Sequence, residues 1–561
     1  MIKRERDFFD AHSFLRYIYI FSTRKKRFED AYFDSLSYKF IYMKSIFKNV
    51  AIITMFSLLT RMLGFFFRIF LSRTIGAEAL GMYQIALSVF MVLLTIVSSG
   101  FTLIISRMTA SYRVSSNKKA IGSLVSSSIF VGLAVSGFLC LIILLFRNLF
   151  ENLFTDENCM NILIILLPSL IFSAVYSVFR GAMWGNDNYF GLCVSELLEQ
   201  IVKIVVCVLI LASGMTAFQN AMTVAWSFTL SCFVSAFFVM LLYFFYGGSL
   251  SRPSRIYRKV IKQSAPITGV RVASSFTQPL IALILPAQLI AAGYTSNQAM
   301  SIYGVALGMT FPFLLLPSAV TGSLATALVP DISMAMVKND NEHIEKRVQS
   351  SLLFALFVSF LIVPIFIAIG DKIGVFIYGE PLSGTLLQYS AWIMIPMSIT
   401  NITSAVLNSI GLEVKSFVNY LIGGIFMFAS ILFLTKFIGI NALIVGMGLS
   451  SLISAGLNLL MIKRKLKIKI ELGKNLLLMI LFSIPTIAIT SFVSSLFSFV
   501  FPMFFDIVLS CAVGLVIFVT LSLMFDVINF QFYWIKFKEK FSSKAKMSKI
   551  KKKNAKKMQK N

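Results

Sequence analysis

Apolar runs separated by short polar breaks fill the chain from about residue 49 to about residue 528. The apolar residues within them do not alternate with polar ones in short segments, as the strands of a membrane barrel would. Instead they continue for roughly 18 residues or more, the length an α-helix needs to cross a bilayer. The breaks predict about fourteen spans, at 49–74, 80–111, 120–146, 157–181, 189–212, 219–246, 262–291, 299–330, 347–370, 384–410, 414–435, 441–462, 474–498 and 502–528. The expected fold is an all-α polytopic membrane protein.

Lysine and arginine in short loops mark the cytoplasmic side of such a chain. One side carries Arg113, Lys118 and Lys119, then Arg252, Arg255, Arg258 and Lys259, then the basic stretch at 463–469. Loops on the other side, such as ENLFTDEN (151–158) and SGMTAFQN (213–220), are acidic or bare. Both termini are therefore expected in the cytoplasm.

Two segments resemble each other. MYQIALSVFMVLLTIVSS (82–99) and IYGVALGMTFPFLLLPSA (302–319) align without gaps at an offset of 220. Six spans separate them, so direction through the membrane is kept. This predicts two parallel six-helix repeats with a central cavity between them, the plan of a transporter. The organisation reads as an N-terminal cytoplasmic extension (1–46), a first transmembrane half (47–246), a basic linker (247–262) and a second half (263–462). Two additional helices (463–530) and a basic cytoplasmic tail (531–561) follow. Met43, opening MKSIFKNVAII, also suits a start of translation, which would make residues 1–42 an extension.

Composition agrees with the spans: 58% of residues are hydrophobic and 13% charged, against about 45–50% and about 25% in soluble domains. The net charge of +27 is concentrated at the end of the chain, with twelve lysines and one glutamate between Lys536 and Lys560. A basic tail behind a last span reads as an anchor on anionic lipid, so nucleic acid is not the expected partner. The six scattered cysteines and two distant histidines support neither disulfides nor a zinc site.

Charges inside the spans carry the chemistry. Arg61 and Arg68 lie seven residues apart, on one helix face and about 10 Å apart along the axis. Arg61 is near mid-span, where an arginine is costly and lines a cavity as a rule. Arg271, on the seventh span, is expected across the repeat axis from them. Arg73, at a span end, reads as a snorkelling residue, and Arg180 as a boundary residue. Arg107, Glu196, Glu199 and Lys203 are candidates for a gate or a coupling role, although Glu199 and Lys203 also have the spacing of a helical ion pair. Arginine forks suit an anion, phosphate above all. No metal or cofactor is expected. A coupling ion, sodium or proton, is left open.

TRMLGFFFRIFLSRTIGAEALGMYQ (60–84) resembles the first-span signature of the stage V sporulation protein B family. The likeness continues through SSGFTLIISRMTA (98–110), FRGAMWGNDN (179–188), ELLEQIVKI (196–204) and MSIYGVALGMTFPFLLLPSAVTGSLATALVPDIS (300–333). The family consists of polysaccharide-type exporters of the multidrug/oligosaccharidyl-lipid/polysaccharide (MOP) superfamily, related to MurJ lipid II flippases. The chain departs from it at Ala182-Met183-Trp184-Gly185, at Lys203 and in its long N-terminal extension.

The resemblance implies fourteen helices around a V-shaped cavity, in a bacterial plasma membrane; a monomer is expected. It also implies export of an undecaprenyl-pyrophosphate-linked cell-wall sugar, a peptidoglycan precursor or related unit, in the setting of the spore cortex. The runner-up is a MATE-type cation-coupled drug antiporter, which would want buried carboxylates where this chain has arginines. An enzyme is not expected: the longest bare-side loop (371–383) offers only Asp371 and Glu380 to a glycosyltransferase.

Overall fold

The structure, a computed structural model, describes residues 11–211, 214–254 and 256–527, with side chains from Ile52 onward. The basic tail and its expected contact with anionic lipid lie outside the described residues. The order is α1 (Ala11–Val114), α2 (Lys118–Leu145), a short α3 (Arg147–Glu151), α4 (Asn158–Gly185), α5 (Tyr189–Ile210) and α6 (Ala217–Phe245). The second half follows with α7 (Ile256–Ser275), α8 (Thr277–Ala291), α9 (Ser296–Tyr303), a π-helical turn (Gly304–Thr310), α10 (Phe311–Leu314) and α11 (Ser318–Val337). Then come α12 (Asn341–Tyr378), α13 (Pro381–Ser390), a 3₁₀ turn (Ala391–Ile393), α14 (Met394–Ser409), α15 (Glu413–Ile438), α16 (Asn441–Leu466), α17 (Gly473–Val500) and α18 (Met503–Met524).

Twelve helical segments among the described residues are long and apolar enough to cross a membrane. The first of them, Ile52–Val114, has 63 residues, roughly 95 Å of helix and far more than one crossing needs. Its backbone leaves the helix at Gly76 (φ 78°, ψ 176°), a left-handed position that a residue without a β-carbon occupies freely. This divides α1 into a first span before Gly76 and a second after it. Helix α5 stands outside the twelve because Glu196, Glu199 and Lys203 interrupt it. Twelve segments, one of them double, together with α5 are consistent with the fourteen spans read from the sequence.

The distribution of buried residues gives the bundle its shape. One core cluster draws on both halves, from Leu80, Tyr83 and Phe90 through Leu163 to Leu285, Tyr303 and Ile444. It lies toward the end with acidic or bare loops. Toward the basic end the core divides. One cluster, around Ile105, Val178 and Tyr243, belongs to the first half and takes in Val260 of α7. Another, around Ile332, Leu352 and Ile462, belongs to the second half. The halves are thus joined at the bare end and separately packed at the basic end.

Helix α7 packs on the first half. It ends at Ser275, a one-residue turn at Phe276 follows, and α8 begins at Thr277. Phe276 keeps helical angles (φ −66°, ψ −21°), so α7 and α8 together make one candidate span, Ile256–Ala291, as the sequence reading of a single seventh span expects. Helix α7 leans on the second span, where Ser264 and Thr268 approach Gly100.

Candidate functional site

Two cavities adjoin in the first half, with Arg271, Pro312 and Leu316 reaching their walls from the second. The larger, about 780 Å³, is lined by Arg180, Glu196, Glu199 and Arg271 among polar residues of the second and fourth spans. The smaller, about 360 Å³, is lined by Arg61, Arg68, Lys203, Tyr83 and Gln84. Gln200 and Phe228 belong to both walls, and Gln200 packs beside Gly64 of the first span. Both volumes are within the usual range for ligand sites, about 300–1,000 Å³.

The larger cavity owes Arg180 to a local sequence device. Gly181 and Gly185 repeat at four residues on α4, and a β-carbon at either would stand 2.8 or 2.6 Å from the carbonyl oxygens of Thr102 and Ser106. Small residues at this spacing let two membrane helices approach closely. Arg180, beside Gly181, is thereby held against the cavity. Its guanidinium pairs with Glu196 and lies 5.9 Å and 5.7 Å from the ring centroids of Tyr176 and Trp184. Its Nε is buried with no hydrogen-bond partner among the described residues. The sequence reading made Arg180 a boundary residue; its placement makes it part of the lining. Arg271 reaches the same cavity from α7 and donates to the Ser99 carbonyl at 3.1 Å. Arginine and glutamate are evenly matched here, two of each.

The smaller cavity is different. Arg61 and Arg68 share its wall with Lys203, and no carboxylate among the described residues lines it. Lys203 and Glu199 do not form the ion pair their spacing allowed. Lys203 sits 5.7 Å from the Phe228 ring centroid, and Glu199 faces the other cavity. The structure thus separates the predicted pair of Arg61 and Arg271 into adjoining cavities rather than setting them face to face. Arg107 is exposed and lines neither cavity. Gln200, Tyr176 and Arg180 are lining residues that the sequence reading did not select.

At the bare end the site is shut. Gly81 packs against the Met300 carbonyl and Gly304 against the Ala77 carbonyl. Arg73 donates to the Ile377 carbonyl at 2.9 Å and also to that of Phe376. These are the free carbonyls of the α12 C-terminus, where a cation is favoured. Arg73, read as a snorkelling residue, is a contact between the two halves.

A helical bundle in two halves, joined at one end, separately packed at the other and holding charged cavities, defines a multi-pass membrane protein with transporter architecture. The chain belongs to the polysaccharide biosynthesis protein family, whose profile matches residues 46–336, just over half of its length. Stage V sporulation protein B of Bacillus subtilis (strain 168) is 26% identical over 400 residues, a match covering 68% of this chain and 76% of that protein. Lipid II flippase MurJ of the same strain is 20% identical over 482 residues, covering 79% and 88%. Among solved structures, a lipid II flippase MurJ in an inward closed conformation superposes with a TM-score of 0.61 at 17% identity, covering 84% of this chain and 98% of that one. An inward-facing MATE multidrug transporter of the MOP superfamily also gives 0.61, at 15% identity over 73% and 94%. At such identities the two structures establish the shared fold.

Proposed function

We propose that this protein is a flippase that moves an undecaprenyl-pyrophosphate-linked cell-wall sugar from the inner to the outer leaflet by alternating access. The observation that carries this reading is the smaller cavity, where three cations meet no carboxylate. Two of them are arginines, whose planar forks suit phosphate oxygens. The sequence kinship to a sporulation protein and to a lipid II flippase supports the substrate class and a role in making the spore cortex. With the basic loops in the cytoplasm, the seal at Gly81 and Gly304 faces outward and the cavities face the inner leaflet, ready for loading.

In this reading Arg61, Arg68 and Lys203 hold the pyrophosphate. Arg271 and Arg180 guide it from the larger cavity, and Glu196 and Glu199 stand where a coupling cation would exchange. The same two carboxylates favour a cation-coupled drug antiporter as the second reading. A cationic drug would, however, meet three positive charges in the smaller cavity.

The test is flipping in proteoliposomes, followed by dithionite quenching of fluorescent lipid-linked sugars. Arg61→Ala and Arg271→Ala are expected to abolish it while the protein stays in the membrane. Arginine-to-lysine changes should restore only part, since an ammonium cannot form the bidentate fork. Full activity of both alanine variants, or transport of cationic dyes in place of the lipid, would overturn the reading.

A further inference from the structure

The second half carries a third cavity, of about 290 Å³, that neither arginine cluster uses. Thr400 and Ser404 of α14, Glu413 and Ser416 of α15, and Ser454 and Asn458 of α16 contribute to its wall. Phe417 and Tyr420 add two aromatic faces, stacked at 6.5 Å between centroids. No cation lines it. The cavity lies toward the basic end of the bundle: Glu413 opens α15, and Asn458 stands two turns before the end of α16.

Its floor is fixed by hydrogen bonds among buried side chains. Asn419 donates to Asn458 at 2.8 Å, and Asn458 donates to Thr403 at 3.2 Å and to Ser404 at 3.1 Å. Asn458 is 1% exposed. Such a network holds the hydroxyl and amide groups of the wall in one arrangement, so a ligand need not order them on binding.

The chemistry of this wall selects among ligands. A phosphate would find no positive charge. A bare cation would find one carboxylate and a space many times its size, since even a water occupies only about 30 Å³. A sugar ring matches on both counts: its hydroxyls pair with neutral hydroxyls, amides and one carboxylate, and its C–H face lies on an aromatic ring. The position agrees as well. The Tyr420 hydroxyl is 3.2 Å from Oγ1 of Thr277, and Thr277 is six residues beyond Arg271, about 9 Å along a helix.

We infer that this cavity is a carbohydrate subsite, which holds a sugar of the headgroup in the second half while the arginines of the first half and α7 hold the pyrophosphate. The inference rests on the flippase reading and gives the second half a part in choosing the substrate.

The experiment measures equilibrium binding of two lipids to the full-length protein in nanodiscs. One is undecaprenyl pyrophosphate; the other is the same lipid carrying one N-acetylglucosamine. The wild-type protein should bind the glycosylated lipid at least tenfold more tightly. Tyr420→Ala and Glu413→Gln, both at exposed positions, should remove that preference and leave the affinity for undecaprenyl pyrophosphate unchanged. Retained pyrophosphate binding shows that the variants are folded. Equal wild-type affinities, or a sugar preference that survives both substitutions, would overturn the subsite and leave the flippase reading standing. Binding of neither lipid would overturn both. Sodium-dependent binding of undecaprenyl pyrophosphate that Glu413→Gln abolishes would make the cavity a cation site and overturn the sugar assignment.

Discussion

Gly304 and Ala77 meet backbone to backbone: a β-carbon on Gly304 would stand 2.0 Å from the Ala77 carbonyl oxygen. No side chain can give way there, because the obstacle is main chain. The contact brings the start of the second span against the π-helical turn of the second half. The two segments that match at an offset of 220 begin beside it.

Gly304→Ala is therefore expected to wedge the bare end open. Overpacking of this kind costs about 1–3 kcal/mol, enough to invert a finely balanced equilibrium between two states. Spin labels at Thr74 and Asn297, both exposed, would report it as a longer distance in the variant. An unchanged distance distribution would show that the seal does not depend on this contact. Arg73→Ala should lengthen the distance less, since only hydrogen bonds to carbonyls are lost.

Arg180 and Glu196 form the charged pair of the larger cavity, and each is about one-third exposed (33% and 32%). Removing the carboxylate frees a guanidinium already stacked between two rings. Glu196→Ala is expected to tighten binding of undecaprenyl pyrophosphate several-fold and to slow turnover, because the anion is released less readily. Arg180→Ala should weaken binding. A fall in affinity in both variants would show that the pair serves structure rather than the anion.

Lys372 and Asp506 fasten the last two helices to the rest of the bundle. Lys372 lies 2.7 Å from Asp506, whose side chain is 2% exposed, and also donates to Ser494. Ser494 and Ser510 donate to the other carboxylate oxygen, each at 3.0 Å. Breaking such a pair by removing one partner costs about 3–5 kcal/mol. Asp506→Ala should lower the thermal midpoint by several degrees in detergent, and Lys372→Leu combined with Asp506→Leu should recover most of the loss. A single variant as stable as the wild type would refute this role.

The sequence revealed the spans because hydrophobic runs of membrane length are a local property of the chain. Even α5 was legible, although three charges interrupt its apolar run. The irregular turn at Phe276 and the π-helical turn at Gly304–Thr310 went unread, although each has a local cause: Pro279 has no N–H for the Ser275 carbonyl, and Pro312 none for the Gly308 carbonyl. The site was also legible only in part. Arg61, Arg68 and Lys203 announced themselves by being charged in apolar surroundings. Arg180 looked like a topology signal because it stands near a helix end. Only the approach of Gly181 and Gly185 to the second span turns it into the cavity. The pairing of Lys372 with Asp506 spans 134 positions, and no periodicity connects them.

The distribution of basic loops makes an orientation testable. Cysteines placed at Asn117 and Leu466 should be shielded from impermeant thiol reagents in intact cells, and those at Thr155 and Ala217 should label. Labelling at 117 from outside would invert the bundle and turn the seal at Gly304 toward the cytoplasm.

The drive follows from charge. A pyrophosphate-linked headgroup carries about two negative charges. In a cell that is negative inside, each gains about 2.3 kcal/mol per 100 mV in moving outward. Two charges at a similar potential would gain roughly 4–5 kcal/mol, a bias of more than a thousandfold at equilibrium. Arg61, Arg68 and Lys203 reduce that gain if they travel with the anion and leave it whole if they stay. The chain contains no G-x-x-x-x-G-K-[ST] phosphate loop through which ATP could act. Flipping should therefore respond to an imposed potassium-diffusion potential, going faster and further when the side of the basic loops is negative. Neutralising Lys203 with Lys203→Gln should alter the steepness of that response. Equal rates and end points at both signs of potential, with ion gradients absent, would exclude potential as the drive and leave an ion exchanged at Glu196 and Glu199 as the source of energy.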